Sequence, residues 1–551
     1  MSGRGFAWLL AGLVPVYLVM AAVVPPADDE LYYWCWSESL QWSYYDHPPM
    51  TAYLIRAATS VFGDTLFAIR LPAILSTLTV LGVVGYLTRP RSLLPLVVCT
   101  PLFTFGAVLV TPDTPLLMFW ALYLLWLVKV HERLGSPEPP NPPGPPSLRG
   151  KGGDVPTDLP GTVSGRTVSQ EGLLRGHPSP SGGGAGGGVD HVRPSDNADG
   201  IPLWLWALGG VVLGCGILGK YTTGLAVIGG FLTFAVAVPW RRWLMGYAVH
   251  LAVAFVVTLP ILIHNIRHDF APLLYQWKHS MSSPEPGVLP FLGFVGIQLV
   301  LFGAIPFVVL GWAVLNRRLV LADPRLRACA GLFVFPFAFF LFKATRGPLE
   351  GNWALACYIA VWPLAAVWFE RLRDGGVWKR ATPLAFGIPA AAVVILAVHL
   401  VRPLPVLSPQ ADRVTRQVSK MAVARDLADS LKGTAEPVFV ASYQWAAMLR
   451  FHGLDAHQID GVTRPSHFTQ TPEHLTGRER VLVFADEPIP AEQTHGFGPP
   501  RGIRVFPLVV RGELVGGYWL LEYSRSEGFR GPDGGTTAAA RIDAPRGDLP
   551  P

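Results

Sequence analysis

The chain has 551 residues, 50% hydrophobic and only 15% charged, with a mean hydropathy of +0.37. Apolar runs of about 20 residues, the length that crosses a hydrocarbon core, recur along it; this excludes a soluble enzyme and a single-span anchor and points to a polytopic helical membrane protein. The net charge of +6 lies in short loops between apolar runs, so it reads as a topology signal and not as a nucleic-acid surface.

Apolar runs fall at 6–25, 67–88, 93–110, 114–130, 202–218, 222–239, 244–263, 288–315, 328–343, 353–369 and 382–401, which predicts about eleven spans. No signal-peptide cleavage pattern marks the first run, so it is expected to be retained as a span. Taking Arg4 as cytoplasmic, alternation puts Arg89 and Arg91, Lys129 and Arg133, Arg241 and Arg242, Arg317 and Arg318, and Arg371, Arg373, Lys379 and Arg380 on one side, as the positive-inside rule requires. The other side receives 27–50 (ADDELYYWCWSESLQWSYYDHPPM), TPDT (111–114), GKYT (219–222), HNIRHDF (264–270) and KATRGPLEGNW (343–353). Trp34, Trp36, Trp42, Tyr44 and Tyr45 in the first of these are residue types that favour the headgroup layer.

Residues 134–200 are dominated by Pro, Gly and Ser and predict a disordered cytoplasmic insert between the N-terminal spans (1–133) and the remaining ones (201–401). Residues 402–523 switch to mixed patterning, with a helical period in SKMAVARDLADSLKG and strand-like runs in PVFVASY, RVLVFAD and IRVFPLVVRGELVGGYWLLEY, which predicts a small extracytoplasmic α/β domain. A disordered tail is expected over 524–551. Of the five cysteines, Cys99, Cys215, Cys329 and Cys357 lie in or beside apolar runs and Cys35 reads as water-facing; no disulfide framework or metal–cysteine motif emerges.

The densest chemistry follows the first span. Asp28, Asp29 and Glu30 end an apolar helix, where a carboxylate is costly to desolvate unless it faces water, a partner or a substrate; a plain marker of the span boundary is the competing reading. Asp113 of TPDT is either a second functional acid or the N-cap of the helix after it. Lys220 in GKYT, between two apolar runs, either meets a lipid phosphate or snorkels to water. Lys343 and Arg346 break the positive-inside pattern, which nominates them for an anionic group. Asp46 and His47 precede Pro48 and Pro49, whose fixed φ stiffens the backbone. A divalent metal held by Asp46 with His264 or His268 is weighed against substrate contact or packing, since His-x-x-x-His chelates on a helix but HNIRHDF reads as a loop. Arg267, Lys278 and His279 read as a solvated basic face, and Arg70 as structural.

The pieces DE-x-YYW-x-WS, YYDHPPM, FGD-x-x-FAIRLP, TPD-x-PLLMFWAL, GKYT and NW at 352–353, in this order over most of 28–370, resemble the membrane glycosyltransferases that use polyprenyl-phosphate sugars. That superfamily includes protein O-mannosyltransferases and the transferases that add aminoarabinose or galacturonic acid to lipid A. The resemblance implies a multi-span GT-C fold in a bacterial inner membrane. It also implies inverting transfer, at the extracytoplasmic face, of a sugar from a polyprenyl-phosphate donor to an envelope glycolipid or a protein. By the same resemblance Asp29 is the expected base, Glu30 orients it or the acceptor, and Asp113 is a second acid. Asp28, Asp46, His47, Lys220, Tyr221, Lys343, Arg346 and Asn352 would contact substrate or its phosphate, with Trp353 shaping the pocket. His47 stands where the aminoarabinose transferases carry lysine, so a titratable group replaces a permanent cation. The rival class is a secondary transporter or lipid flippase, against which the motifs gather on one face and no internal repeat appears.

Overall fold

The structure, a computed structural model, describes residues 3–88, 97–98, 100–134, 201–281, 287–374, 378–405, 407–470, 475, 478–487, 489–490, 492–494 and 497–525. The expected insert, the tail beyond 525, Arg89, Arg91 and Cys99 lie outside them.

The helices are α1 (Gly3–Val23), α2 (Asp28–Glu38), α3 (Met50–Phe62), α4 (Leu66–Leu87), α5 (Asp113–Leu134), α6 (Leu203–Gly219), α7 (Gly224–Ala235), α8 (Leu244–Arg267), α9 (Ala271–Met281), α10 (Val288–Phe302), α11 (Ile305–Leu315), α12 (Arg317–Ala322), α13 (Pro324–Ala344), α14 (Cys357–Asp374), α15 (Trp378–Val401), α16 (Arg413–Ser430) and α17 (Tyr443–Phe451). Among the described residues five helices are long and apolar enough to cross a membrane by themselves: α1, α4, α5, α8 and α13. The run at 288–315 is a broken pair, α10 and α11, bent by 100°. Gly303 at the break has φ +66°, and a Cβ there would meet the Ala385 carbonyl oxygen at 2.2 Å, so glycine is needed on both counts. The run at 93–110 forms no span in its described part, which contains two 3-10 turns, Pro101–Phe103 and Phe105–Ala107; proline, glycine and threonines deny it a continuous helix. Elsewhere small residues bring helices together, as where a Cβ on Gly210 of α6 would lie 2.4 Å from the His250 carbonyl oxygen of α8.

Five strands, β1 (Val438–Val440), β2 (Ala456–Gln458), β3 (Arg480–Ala485), β4 (Arg501–Val510) and β5 (Glu513–Ser524), form one sheet in the order β2-β1-β3-β5-β4. β1 runs parallel to β2 and β3, and β5 is antiparallel to β3 and β4. The two long strands make a hairpin turning through Arg511 and Gly512, both at positive φ. Arg511 donates to the carbonyls of Leu404 (2.8 Å) and Leu407 (2.7 Å) just past α15, tying the hairpin tip to the end of the last apolar helix.

The C-terminal unit and the first loop share one core. Leu31, Tyr32 and Trp36 of α2 pack in a single cluster with Trp445 and Met448 of α17 and Val440, Leu482 and Phe484 of the sheet. The aromatic-rich first loop is therefore largely interior. Trp34, Trp36 and Tyr44 are buried, against the expectation of a headgroup belt, and only Trp42 of the set is well exposed. Cys35, expected to face water, is buried in the same cluster for the same reason. The FGD motif supports this packing, with Asp64 accepting from Trp34 Nε1 at 3.0 Å.

Candidate active site

A cavity of about 760 Å³ opens between the head of α2, the loop before α3, the GKYT turn, the C-terminal end of α13, α9 and the C-terminal unit. Its size is that of an ordinary small-molecule site.

Asp29 lines one wall. Its Oδ1 accepts a hydrogen bond from the Tyr443 hydroxyl at 3.0 Å. Burial, and then the neighbouring Asp28 carboxylate, raise its pKa from 3.8 to about 6, while the Tyr443 hydrogen bond and Arg464 oppose the rise. The result is a carboxyl group poised near neutrality.

Asp46 is held far more firmly. Its Oδ2 accepts from the Tyr32 hydroxyl at 2.5 Å, its Oδ1 from Arg464 Nη1 at 2.6 Å, and its carbonyl from Gln276 of α9. The His467 amide donates to the Tyr32 hydroxyl at 2.7 Å, and the Arg464 guanidinium lies 4.2 Å above the Tyr443 ring. Burial first, and then the Asp46 charge, keep the Tyr32 phenol well above its ordinary pKa, so it stays a donor.

Behind the opposite wall Asp113, buried and not itself in the cavity lining, is clamped between two lining residues, Lys220 Nζ on Oδ1 and Asn352 Nδ2 on Oδ2, each at 2.7 Å. Asp113 is the first residue of α5 and not its N-cap: both its carboxylate oxygens are taken by Lys220 and Asn352, and among the described residues neither accepts a backbone amide. Lys220 and Lys343 are both buried and line the cavity, as do His47, Tyr221 and Trp353. Thus Asp29, Asp46, His47, Lys220, Tyr221, Lys343 and Asn352, singled out in the sequence, converge on one cavity.

Four sequence expectations are corrected. Glu30 does not reach the cavity: Arg70 grips it at 3.1 and 2.7 Å, both groups are fully buried, and Glu30 also accepts the amides of Ala27 and Val110. Arg70 further donates to the carbonyls of Ala21, Val24 and Pro25, so the pair splices the end of α1 to the head of α2. Asp28 faces away into a second cavity. Arg346 is exposed and outside the cavity lining, its guanidinium 5.2 Å from the Phe342 ring. His264 is helical, in the last turn of α8, and His268 caps that helix at the start of the turn that follows, their rings stacked at 4.1 Å. No third ligand joins them, and among the described residues no group of three His, Cys, Asp or Glu is placed to hold a metal ion. Arg267 stacks over Trp42 at 5.1 Å and Lys278 is exposed.

Tyr32, Tyr443, Arg464, His467 and Gln276 escaped the sequence reading. A single signal pointed toward Tyr443: Ser442 before it is a helix N-cap type, and its hydroxyl does accept the Trp445 amide at 3.5 Å. Arg464 sits in a turn with no motif around it.

The family model described as dolichyl-phosphate-mannose-protein mannosyltransferase matches residues 46–136. A lipid A galacturonosyltransferase, RgtD of Rhizobium johnstonii, is 25% identical over 408 residues, covering 73% of this chain and 72% of that protein. The crystal structure of ArnT from Cupriavidus metallidurans in the apo state superposes with a TM-score of 0.56 at 13% identity, covering 95% of this chain and 98% of that one. The same protein bound to undecaprenyl phosphate matches with the same TM-score over 94% and 98%. Family model and sequence relative point the same way: the chain is similar to polyprenyl-phosphate-dependent membrane glycosyltransferases, and its fold is that of ArnT.

Proposed function

We propose that the protein transfers a sugar from a polyprenyl-phosphate donor to a lipid A-like glycolipid at the extracytoplasmic face of a bacterial inner membrane, with inversion at the anomeric carbon. The donor class is supported by the undecaprenyl phosphate bound to the structural relative and the acceptor class by the name of the sequence relative. The sidedness is supported by the direction of single helices: α5 starts at Asp113 beside the cavity and ends at Lys129 and Arg133, and α7 starts at the GKYT turn and is followed by Arg241 and Arg242, so these basic ends lie away from the cavity.

The observation that carries the mechanism is the inequality of three carboxylates. Asp46 is paired with Arg464 and Asp113 with Lys220, whereas among the described residues Asp29 has one neutral side-chain donor, Tyr443; Glu350 also lines the cavity but is exposed to water, not held in its wall. Asp29 is therefore the carboxylate with basicity to spare. It takes the proton of the acceptor hydroxyl as that oxygen attacks the anomeric carbon, and the carbon–oxygen bond to the lipid phosphate breaks with its electron pair left on the phosphate. The charge that grows there meets Lys220 and Lys343, cations already desolvated in the cavity wall. With Asp29 as base and no covalent intermediate, a single in-line displacement inverts the anomeric carbon.

The test is sugar transfer by purified protein in nanodiscs, with radiolabelled polyprenyl-phosphate sugars and envelope lipids as substrates, beside Asp29→Asn. Transfer by the wild type and none by the folded variant is expected; equal transfer by both removes Asp29 from the reaction.

A further inference from the structure

Beyond the head of α2 lies a second cavity, of about 580 Å³. Its floor is apolar, built from Val24 and Pro25 after α1, Phe105 and Leu109, and Leu396 and Leu400 of α15. Its rim is cationic. Arg413, Arg416 and Lys420 follow one another at three- and four-residue spacing on α16, so they share one helix face over the apolar floor. Asp28 is the one acid in the lining, and its Oδ1 already accepts the Asp29 amide at 3.0 Å.

These cations are poorly compensated. Among the described residues Arg413 and Lys420 have no salt-bridge partner, while Arg416 donates Nη1 to the Gln410 carbonyl at 2.8 Å and keeps a buried Nε with no acceptor. Three like charges on one face of a helix repel each other unless an anion joins them. The helix is also held in place: Gln417 reaches the Pro26 carbonyl at 3.5 Å, and Asp412, its N-cap, accepts from His399 at 3.0 Å. Apolar floor below and cations above match an amphiphile with an anionic head, located where α1 and α15 end.

The location adds the functional link. Asp28 lines this cavity and Asp29 lines the first, and consecutive Cα atoms are about 3.8 Å apart. The head of α2 thus stands between the two cavities, presenting Asp28 to one and the proposed base to the other.

We infer that the second cavity seats the acceptor, a phosphate-bearing glycolipid, with its acyl chains against Phe105, Leu396 and Leu400 and a phosphate on Arg413, Arg416 and Lys420. The inference rests on the transferase reading above and deepens it: selection of the acceptor depends on its phosphate, and α16 does the selecting.

The experiment measures equilibrium binding of a radiolabelled bis-phosphorylated acyl-disaccharide lipid to the full chain in phosphatidylcholine nanodiscs, and of the same lipid after phosphatase treatment. Wild type should bind the phosphorylated form, and Arg413→Gln/Arg416→Gln should lose about a hundredfold, roughly tenfold for each charge-assisted contact removed. The dephosphorylated lipid should bind wild type as weakly as the phosphorylated one binds the double variant. Lys420→Gln, a single change at the rim, should lose about tenfold, and Lys343→Gln in the first cavity should lose nothing. Unchanged affinity in variants with wild-type melting temperature overturns the site. Displacement of the glycolipid by an equal concentration of phosphatidic acid overturns the acceptor assignment in favour of a general headgroup contact. Because binding is the readout, a wild type that binds the lipid yet transfers from no donor refutes the proposed activity and leaves this site standing.

Discussion

Tyr443 donates a hydrogen bond to Asp29 across 414 residues of sequence, so the C-terminal unit holds the carboxylate on which the proposed chemistry depends. A hydrogen bond to the ionised form lowers a carboxyl pKa, and here it works against burial and Asp28. With Asp29 as the proposed base, activity should rise about tenfold per pH unit up to about 6 and level off above it. In Tyr443→Phe the opposing hydrogen bond is gone, and the acidic limb should move up by about one pH unit. A pH–rate profile of both proteins checks this; coincident limbs would show that the bond has no hold on Asp29.

The same group makes a prediction about stability. A folded-state pKa raised from 3.8 to about 6 means that the folded protein holds this proton more tightly than the unfolded chain. That contribution is fully present below pH 4 and is lost as the pH climbs through 6. Asp29→Asn carries no such charge, so its melting temperature should gain on the wild type between pH 4 and 7. A constant difference across that range would contradict the raised pKa.

Lys220→Ala should lose both donor affinity and stability, because it strands Asp113 with Asn352 as its remaining partner in a buried setting. Breaking one side of a buried pair costs about 3 kcal/mol. Lys220→Gln/Asp113→Asn, with neither charge, should recover most of the melting temperature while donor binding stays weak. Recovery of both would reduce Lys220 to a structural role.

Glu30→Gln offers the complementary test. It leaves the Arg70 guanidinium fully buried without its counter-charge, again a loss of about 3 kcal/mol, yet the folded fraction should transfer sugar within about threefold of wild type, since Glu30 lies behind the cavity wall. Thermal melts with activity normalised to folded protein separate this from Asp29→Asn; a thousandfold loss of rate in folded Glu30→Gln would return Glu30 to the chemistry.

Residues 136–198 should be dispensable when replaced by a Gly/Ser linker. The two helices they join already pack on each other, with Trp126 of α5 donating to the Leu205 carbonyl of α6 at 2.7 Å and its ring packed edge-on to Trp206. A correctly inserted deletion protein that transfers no sugar would give this stretch a function that its composition does not suggest.

Apolar runs, turn residues and the ordered motifs were enough to read the spans around α4, α5, α8 and α13, and to bring Asp29, Asp46, Lys220, Lys343 and Asn352 to one place. What hydropathy could not show was which partner an aromatic or a charge would find. Trp34 and Trp36 look like interface residues until α17 covers them, and Glu30 looks as reactive as Asp29 until Arg70, forty residues on, engages it. Gly303 broke a run that reads as one long helix, because backbone chirality at a single residue does not register in an apolar average. Arg464 and Tyr443 were invisible for a related reason: the domain that bears them was legible as strands and a helix, but its docking surface on α2 is a tertiary property.

The shared core of α2 and the C-terminal unit sets an order of events during synthesis. Asp29 and the aromatic residues after it leave the ribosome 414 residues ahead of Tyr443, a lag on the order of 20 to 80 s at ordinary elongation rates. Throughout that interval Leu31, Tyr32 and Trp36 lack the side chains that will cover them, and the base lacks its hydrogen-bond donor. The contact between Asp29 and Tyr443 therefore closes only after the apolar helices that separate them in sequence have been made.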